Sequence, residues 1–239
     1  MQQIFKLYKL LLKAYGPQGW WPLLQYPGTN PTKTGAVRGY HPGDYAFPKN
    51  REEQFAICLG AFLTQNTAWT AVEKSLLNLQ ELNALAPERL WRLDEEKFKK
   101  AIRPSGYHNQ KSFYIKNFIP FFLSLKGNIP TRIELLGLKG IGPETADSML
   151  LYAFRQPEFV IDAYTKRVMA ASKMLLADVS YDEAKAMFEE ALQQKISDQE
   201  TLVAVYQEYH ALLVEHAKRF YRKKPFGQGD AIIADVQLF

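Results

Sequence analysis

The sequence predicts an all-α protein. Its apolar residues mostly recur at three- and four-residue intervals, the spacing of one helix face, and no sustained apolar–polar alternation indicates a sheet. Hydrophobic residues make up 47% of the 239 positions, enough for a substantial core, and no apolar run approaches the length of a membrane span. Because Lys6, Lys9 and Lys13 interrupt the N-terminal apolar residues, we expect neither a signal peptide nor a membrane partner.

The periodic segments predict a series of helices joined by turns. Residues 16–50 are the exception, since they are rich in glycine and proline and predict one long loop, a feature that is usually functional. Asp162 suits an N-cap, and Ser180 with Glu183 matches a capping box. The apolar tail at 230–239 has no evident partner. Helices are expected at residues 2–15, 51–65, 68–82, 87–93, 94–102, 109–125, 131–136, 143–153, 162–174, from 180 onward, and at 198–222.

One segment, residues 138–142, cannot be regular helix or strand. Its glycines, Gly140 and Gly142, flank one apolar residue, which permits a tight hairpin with a positive φ. Pro143 suits the first position of a new helix, because its missing N–H is no loss there. The free N–H groups of that helix's first turn would form an anion site, and Ile141 would anchor the hairpin in the core.

This hairpin and the Thr-Ala that follows it resemble the helix-hairpin-helix of the endonuclease III superfamily of DNA glycosylases. The family's hairpin runs roughly Leu-Pro-Gly-Val-Gly, a variable residue, Lys, Thr and Ala; here Lys139 replaces the proline and Glu144 the lysine. The family's second signature is an aspartate in a Val-x-Asp context, and Asp162 follows Glu144 by the family's 18 residues. The resemblance covers nearly the whole chain, and residues 25–48 match least.

The resemblance implies a two-lobed helical fold with a DNA-binding cleft between the lobes. Residues 51–153 would form a six-helix barrel lobe that ends in the hairpin, and residues 1–50 with 154–239 would form a second lobe carrying Asp162. That carboxylate would stabilise the oxocarbenium-like sugar formed as an N-glycosidic bond breaks, and would orient or deprotonate the attacking water. The hairpin residues expected to contact the DNA backbone are Gly140, Ile141, Gly142 and Thr145, together with Lys139.

Glu144 is the informative departure from the family. Many members carry a nucleophilic lysine at this position, which forms a Schiff base with the sugar and cuts the strand by β-elimination. A glutamate has no such chemistry, so we expect a monofunctional enzyme that leaves an intact abasic strand. Lys139 or Lys166 could at most supply slow lyase activity. Glu144 also suits a helix start, where the dipole favours it, and could touch the base.

A second motif suggests how a nucleotide would be extruded. Residues 63–67, Leu-Thr-Gln-Asn-Thr, resemble the family's loop whose Gln or Asn side chain fills the gap left in the duplex. Gln65 is the wedge candidate, and Asn66 would support the turn.

Aromatic residues suggest a base pocket. Trp20, Trp21 and Pro22 follow one another in the loop, and Trp69 starts the helix after the wedge loop. With Glu144 and the wedge motif, this set resembles the 3-methyladenine DNA glycosylase III branch of the superfamily, which builds its pocket from such aromatics. Electron-rich indole faces attract the delocalised positive charge of an N3- or N7-alkylated purine.

No iron–sulfur cluster is expected. In most relatives the last long helix leads into a four-cysteine loop, but Tyr221 stands where the first ligand would be and the one cysteine, Cys58, lies far upstream. The 3-methyladenine branch also lacks the cluster, and a buried, modified lysine of this helix takes over its structural function; Lys218 is the candidate here. Arg219 and Arg222 would more simply contact DNA phosphates.

The remaining features bear on ions and partners. The four histidines lack ligand spacing, so we expect no catalytic metal, although hairpin carbonyls could hold a monovalent cation that helps to grip a phosphate. Residues 102–111 resemble the family's Gly-x-x-x-x-Lys turn, which makes Lys111 a candidate phosphate contact. A net charge of +5 and a pI near 9.1 fit a polyanionic partner, here damaged double-stranded DNA. We expect a monomer in a cytoplasmic, nucleoid-associated, prokaryotic-like setting.

The leading hypothesis is a DNA glycosylase of base excision repair that flips out an alkylated purine such as 3-methyladenine and hydrolyses its glycosidic bond. The first alternative is a glycosylase for uracil, mismatched thymine or an oxidised base, because pocket details decide the substrate. The second is a helix-hairpin-helix module that binds DNA without catalysis, although such a module has no need of an acid at Asp162.

Overall fold

Helices form the regular structure of residues 2–33, 38–174 and 178–237, which are the residues that the computed structural model describes. The β pairing found in these ranges is a single bridge between Thr29 and Arg38, so the all-α prediction is confirmed. Nowhere in the same ranges is a helix both long enough and apolar enough to cross a membrane.

The helices lie close to the segments that periodicity predicts, and several of them begin at a residue whose side chain caps the helix. Asn50, Thr131, Ser180 and Asp162 each accept a hydrogen bond from a backbone N–H of the helix that follows, and the Ser180–Glu183 capping box is confirmed. The bounds are α1 Gln2–Tyr15, α2 Arg51–Leu63, α3 Trp69–Glu81, α4 Pro87–Arg92, α5 Glu95–Ile102, α6 His108–Ser124, α7 Arg132–Leu136, α8 Pro143–Ser148, α9 Ala163–Ala171, α10 Tyr181–Gln193, α11 Gln199–Phe220 and α12 Ala231–Gln237.

Two segments differ from the expected pattern. The helix predicted at 143–153 changes at Met149 from α8 into a π-helical turn, Met149–Ala153. The tail was predicted without a partner, but it contains α12, which packs on α1 and is tied to it by a hydrogen bond of 2.7 Å from Lys6 Nζ to the Asp235 carbonyl. Residues 238 and 239 of the predicted tail lie outside the described ranges.

The helices pack in two sets that meet at the π turn. α2 packs on α3 and α6, while α5 packs on both of those helices. α11 packs on α1 and α9, and α1 also contacts α10 and α12. The π turn contacts both α2 and α11, so it lies where the two sets join. α7 and α8 pack against each other as the two arms of the hairpin.

Candidate active site

The turn between α7 and α8 is a tight hairpin that depends on one glycine. Gly140 has a φ of +92°, where L side chains are strained, and a Cβ built there would lie 2.2 Å from the ring of Tyr114. Ile141 is buried and anchors the turn in the core. Gly142, the N-cap of α8, has no side chain that could cap the helix, so the N–H groups of the first turn after Pro143 remain the candidate anion site.

Asp162 caps the start of α9 and faces a histidine. Its Oδ1 accepts a hydrogen bond of 2.7 Å from Thr165 N, and its Oδ2 lies 3.8 Å from His210 Nε2. Burial opposes ionisation, but His210 and the backbone and hydroxyl of Thr165 outweigh it and lower the pKa of Asp162 below its ordinary value. With 14% of its side chain exposed, Asp162 is a fixed anion at neutral pH that a cationic transition state could use.

Glu144, in the first turn of α8, supplies a second carboxyl group. Its side chain keeps contact with solvent, although the protein groups around it partly remove water from the carboxyl group. This desolvation and the nearby charge of Asp162 raise the pKa of Glu144 to about 7, against an opposing contribution from His210. The two carboxyls therefore interact: at neutral pH Asp162 is ionised, whereas Glu144 is divided between its protonated and ionised forms.

His210 on α11 is a site residue that the sequence analysis missed. Its Nδ1 lies 2.7 Å from the hydroxyl of Tyr152, while its buried Nε2 has no hydrogen-bond partner among the described residues. Tyr152 belongs to the π turn after α8, and such turns often occur at functional sites. A histidine inside the apolar run Tyr209–Val214 is a visible signal, but no local pattern connects it with Asp162.

The tryptophans predicted for the base pocket form one cluster beside His210. The ring centroids of Trp20 and His210 are 5.7 Å apart, and those of Trp21 and Trp69 are 5.2 Å apart. Trp20 and Trp69 are half-buried, so each keeps surface that a base could contact. The cluster therefore extends the site from the two carboxyls toward the wedge loop.

Trp21 and Pro22 do not line this surface, which corrects the prediction that both would. Trp21 is 5% exposed because it packs against Gly60 of α2, where an added Cβ would lie 2.8 Å from Trp21 Nε1. Pro22 is buried beside it. Both residues therefore belong to the buried interior beside Trp20 and Trp69.

The long loop has a clear structural role at the tryptophans. Glu208 on α11 accepts hydrogen bonds from Gln18 N at 2.6 Å and from the Tyr45 hydroxyl at 2.9 Å. His41 N donates to the Gly19 carbonyl at 3.1 Å, and His41 Nε2 lies 3.0 Å from the Trp21 carbonyl oxygen. The segment that least matches the family thus fixes the backbone that carries the tryptophans.

The wedge loop lies against the hairpin. Gln65 Nε2 donates to the Gly140 carbonyl at 2.9 Å and to Thr145 Oγ1 at 3.0 Å. Asn66 is exposed at the tip of the loop, with a φ of +52° that asparagine tolerates better than most residues. The structure therefore places Gln65 against the predicted phosphate-binding turn, with Asn66 next to it in the chain.

Lys111 is not a surface residue, and the predicted phosphate contact is wrong. Its side chain is buried and its Nζ donates to the carbonyls of Leu63 and Ser105, each at 2.8 Å, and to Thr67 Oγ1 at 2.9 Å. The ammonium group has no donor left for a phosphate.

The other basic candidates lie at the surface. Lys139, Arg219 and Arg222 are exposed, and the guanidinium of Arg219 lies 4.6 Å from the ring centroid of Tyr15. Lys218 is expected to be buried, but a quarter of its side chain is exposed. Its ammonium group pairs at 2.6 Å with the buried carboxylate of Glu215 and lies 5.7 Å from the Trp20 ring centroid.

Polar contacts tie the segment that follows α11 back to that helix. The Tyr221 hydroxyl donates to Asp230 Oδ2 at 2.7 Å, and His216 Nε2 lies 2.8 Å from the same oxygen. All three side chains are buried. Tyr221, at the position where the resemblance places a first cluster ligand, therefore anchors this segment.

A helical hairpin, an acid at a helix start and an aromatic cluster beside it are the features of a DNA glycosylase of the helix-hairpin-helix type. Residues 59–194 match the HhH-GPD superfamily of base excision DNA repair proteins, and the chain belongs to that superfamily. It is 36% identical over 234 residues to a protein of Methanocaldococcus jannaschii described as a candidate DNA repair glycosylase, covering 93% of this chain and 90% of that one. Endonuclease III of Sulfolobus acidocaldarius is 29% identical over 171 residues, which are 69% of this chain and 73% of that protein.

Among solved structures, the chain is similar to the 3-methyladenine DNA glycosylase of H. pylori bound to 1,N6-ethenoadenine. The TM-score is 0.68 at 26% identity, and the match covers 91% of this chain and 97% of that one. The resemblance to the endonuclease III superfamily is thereby confirmed, and the protein is a DNA glycosylase of this superfamily.

Proposed function

We propose that the protein removes alkylated purines from duplex DNA by hydrolysis, without efficient cleavage of the strand. The observation that carries the proposal is the pairing of Asp162 with Glu144 beside half-buried indole rings. The ionised Asp162 supplies the charge that an oxocarbenium-like sugar needs, and Glu144 occupies the position of a nucleophilic lysine.

In the proposed reaction, the N–H groups of the hairpin and the start of α8 hold a phosphate of the damaged strand. The everted nucleotide brings its sugar to Asp162 and its base to Trp20 and Trp69. As the glycosidic bond breaks, the carboxylate of Asp162 stabilises the sugar cation and orients a water molecule toward C1′. The water's oxygen bonds to C1′, the base leaves with the bond's electron pair, and Asp162 takes up the water's proton.

An alkylated purine fits the charge of this pocket. N3- or N7-alkylation gives the base a delocalised positive charge, which indole faces attract by about 0.5–2 kcal/mol. Ionised Glu144 adds a second attraction near neutral pH. Such a base is already a good leaving group, so the pocket needs no strong general acid. The 3-methyladenine glycosylase of H. pylori, with its similar fold, supports the same substrate class.

Because Glu144 replaces the nucleophilic lysine, the protein should not cut the DNA strand efficiently after the base is released. A carboxylate cannot form a Schiff base with the sugar, so borohydride should trap no covalent enzyme–DNA adduct. Efficient trapping would mean that another lysine, such as Lys139 or Lys166, attacks the sugar. The proposed complex is a monomer on damaged duplex DNA inside the cell, with no iron–sulfur cluster. The proposal also includes a monovalent cation bound by carbonyl oxygens of the hairpin. One of these oxygens, that of Gly140, already accepts a hydrogen bond from Gln65 Nε2.

The test of substrate class compares base release from four kinds of duplex: methylated DNA, and oligonucleotides carrying uracil, a mismatched thymine or 8-oxoguanine. We expect release of 3-methyladenine from methylated DNA at a rate well above that of the other three bases. Release from one of the other duplexes alone would favour the alternative glycosylases. If the protein binds these duplexes but releases no base from any of them, it is a DNA-binding module without catalysis.

A further inference from the structure

Two lysines on α6 each donate three hydrogen bonds, at different places in the fold. Lys111 Nζ donates to the Leu63 and Ser105 carbonyls and to Thr67 Oγ1, at 2.8 to 2.9 Å. Lys116 Nζ donates to three carbonyls around the end of α4, at 2.8 to 3.1 Å. Each ammonium group therefore satisfies the free carbonyls left at the end of a helix or turn. Of these two lysines, Lys111 is the one whose acceptors lie at the wedge loop, residues 63–67.

The contacts of Lys111 enclose the wedge loop. Leu63 is the last residue of α2, and Thr67 precedes α3, so the two contacts hold both ends of the loop. Thr67 Oγ1 also lies 3.0 Å from the Gln65 carbonyl oxygen and 2.5 Å from the Ser105 carbonyl oxygen. One buried ammonium group thus fixes the backbone of the segment that carries Gln65 and Asn66.

We propose that Lys111 is a positioning residue that holds the wedge loop in the shape needed to enter a duplex. This inference rests on the proposed function for its biological meaning. A charged group placed in the interior is costly unless every donor is used, and Lys111 meets that condition with two acceptors at the ends of the wedge loop and a third at the Ser105 carbonyl. Burial lowers the pKa of Lys111 to about 8, which still leaves the three-donor form in the majority at neutral pH.

The expected effect is confined to duplex substrates. A wedge fills the space that an extruded nucleotide leaves, whereas a base in a single strand has no such stack to leave. Loss of the ammonium group frees the loop, and displacement of positioning groups by about 1 Å can cost about 100-fold in rate. A defect in folding or in the chemistry of Asp162 would instead reduce excision from both kinds of strand.

The experiment compares Lys111→Met with Lys116→Met, using excision from methylated duplex and methylated single-stranded DNA. We expect Lys111→Met to lower duplex excision about 10- to 100-fold and to leave single-strand excision unchanged. Lys116→Met loses a comparable set of hydrogen bonds away from the loop and should change neither. The inference would be overturned if Lys111→Met lowered excision equally from duplex and single-stranded DNA, or if Lys116→Met lowered excision from the duplex alone.

A second readout requires no catalysis. A duplex with 2-aminopurine opposite an abasic-site analogue gains fluorescence when a protein unstacks the base, and we expect wild type and Lys116→Met to produce that gain and Lys111→Met to lose most of it. If no variant excises any base but this pattern holds, the proposed function fails and the positioning role stands. If Lys111→Met does not fold, Thr67→Val removes one contact of the ammonium group and should weaken the fluorescence gain; an unchanged gain would refute the positioning role.

Discussion

Replacing Asp162 with asparagine separates the catalytic role of this side chain from its structural one. Asparagine caps helices as well as aspartate does, so Asp162→Asn keeps the hydrogen bond that now joins Oδ1 to Thr165 N at 2.7 Å. What it removes is the charge. The sequence supplies a matched control in Asp198, an exposed N-cap of α11 that accepts from Thr201 N at the same distance of 2.7 Å.

The size of the effect follows from Coulomb's law. Two unit charges about 4 Å apart interact by about 4 kcal/mol at an effective dielectric constant of about 20. Since 1.36 kcal/mol corresponds to tenfold in rate, Asp162→Asn should slow excision about 10³-fold.

The assay is single-turnover release of 3-methyladenine from methylated duplex DNA, with thermal unfolding measured in parallel. Asp198→Asn should match wild type in rate, and both variants should unfold within a few degrees of it. Excision by Asp162→Asn at the wild-type rate would refute the electrostatic role. So would an equal loss of activity in Asp198→Asn, because capping would then account for the effect.

Two further predictions concern the hairpin and the second carboxyl group. Gly140→Ala should reduce both DNA affinity and thermal stability for two reasons. The new Cβ would lie 2.2 Å from the Tyr114 ring, and an L residue at this positive φ is strained by about 1–2 kcal/mol. Gly127→Ala is its control, since Gly127 has the same φ of +92° and nothing within 4 Å; equal DNA affinities for the two variants would contradict the role of the hairpin. Glu144 gains its charge as the pH rises through about 7, so binding of duplexes with a cationic base should strengthen from pH 6 to pH 8 in the wild type and stay flat in Glu144→Gln. An identical pH dependence in the two proteins would remove Glu144 from base recognition.

The sequence predicts the parts of this molecule that depend on local chemistry. Pro143 after a glycine turn and Asp162 before a helix are determined by backbone preferences within a few residues, and both lie where expected. Helical periodicity likewise finds most helices, because one buried face is enough to mark them. It missed α12, whose seven residues form too short a repeat to identify a helix.

Contacts between segments that are distant in the chain leave no local pattern in the sequence. His210 meets Asp162 across two helices, and its neighbours in sequence give no sign of that contact. Lysine is usually a surface residue, so the sequence predicts exposure for Lys111. Its burial depends on the carbonyls that α2 and the turn before α6 place around it in the folded protein. The predicted set of pocket tryptophans was too large for a similar reason, because the packing of Trp21 on Gly60 is a tertiary contact.

The most direct test of the account follows the fate of the sugar after base release by the wild-type protein. Methylated duplex DNA is incubated with the enzyme, free base is quantified, and strand length is measured before and after alkali. Hydrolysis at Asp162 predicts released 3-methyladenine with strands that stay full-length until alkali is added. Strands cut without alkali in proportion to base release, or no free base at all, would contradict it.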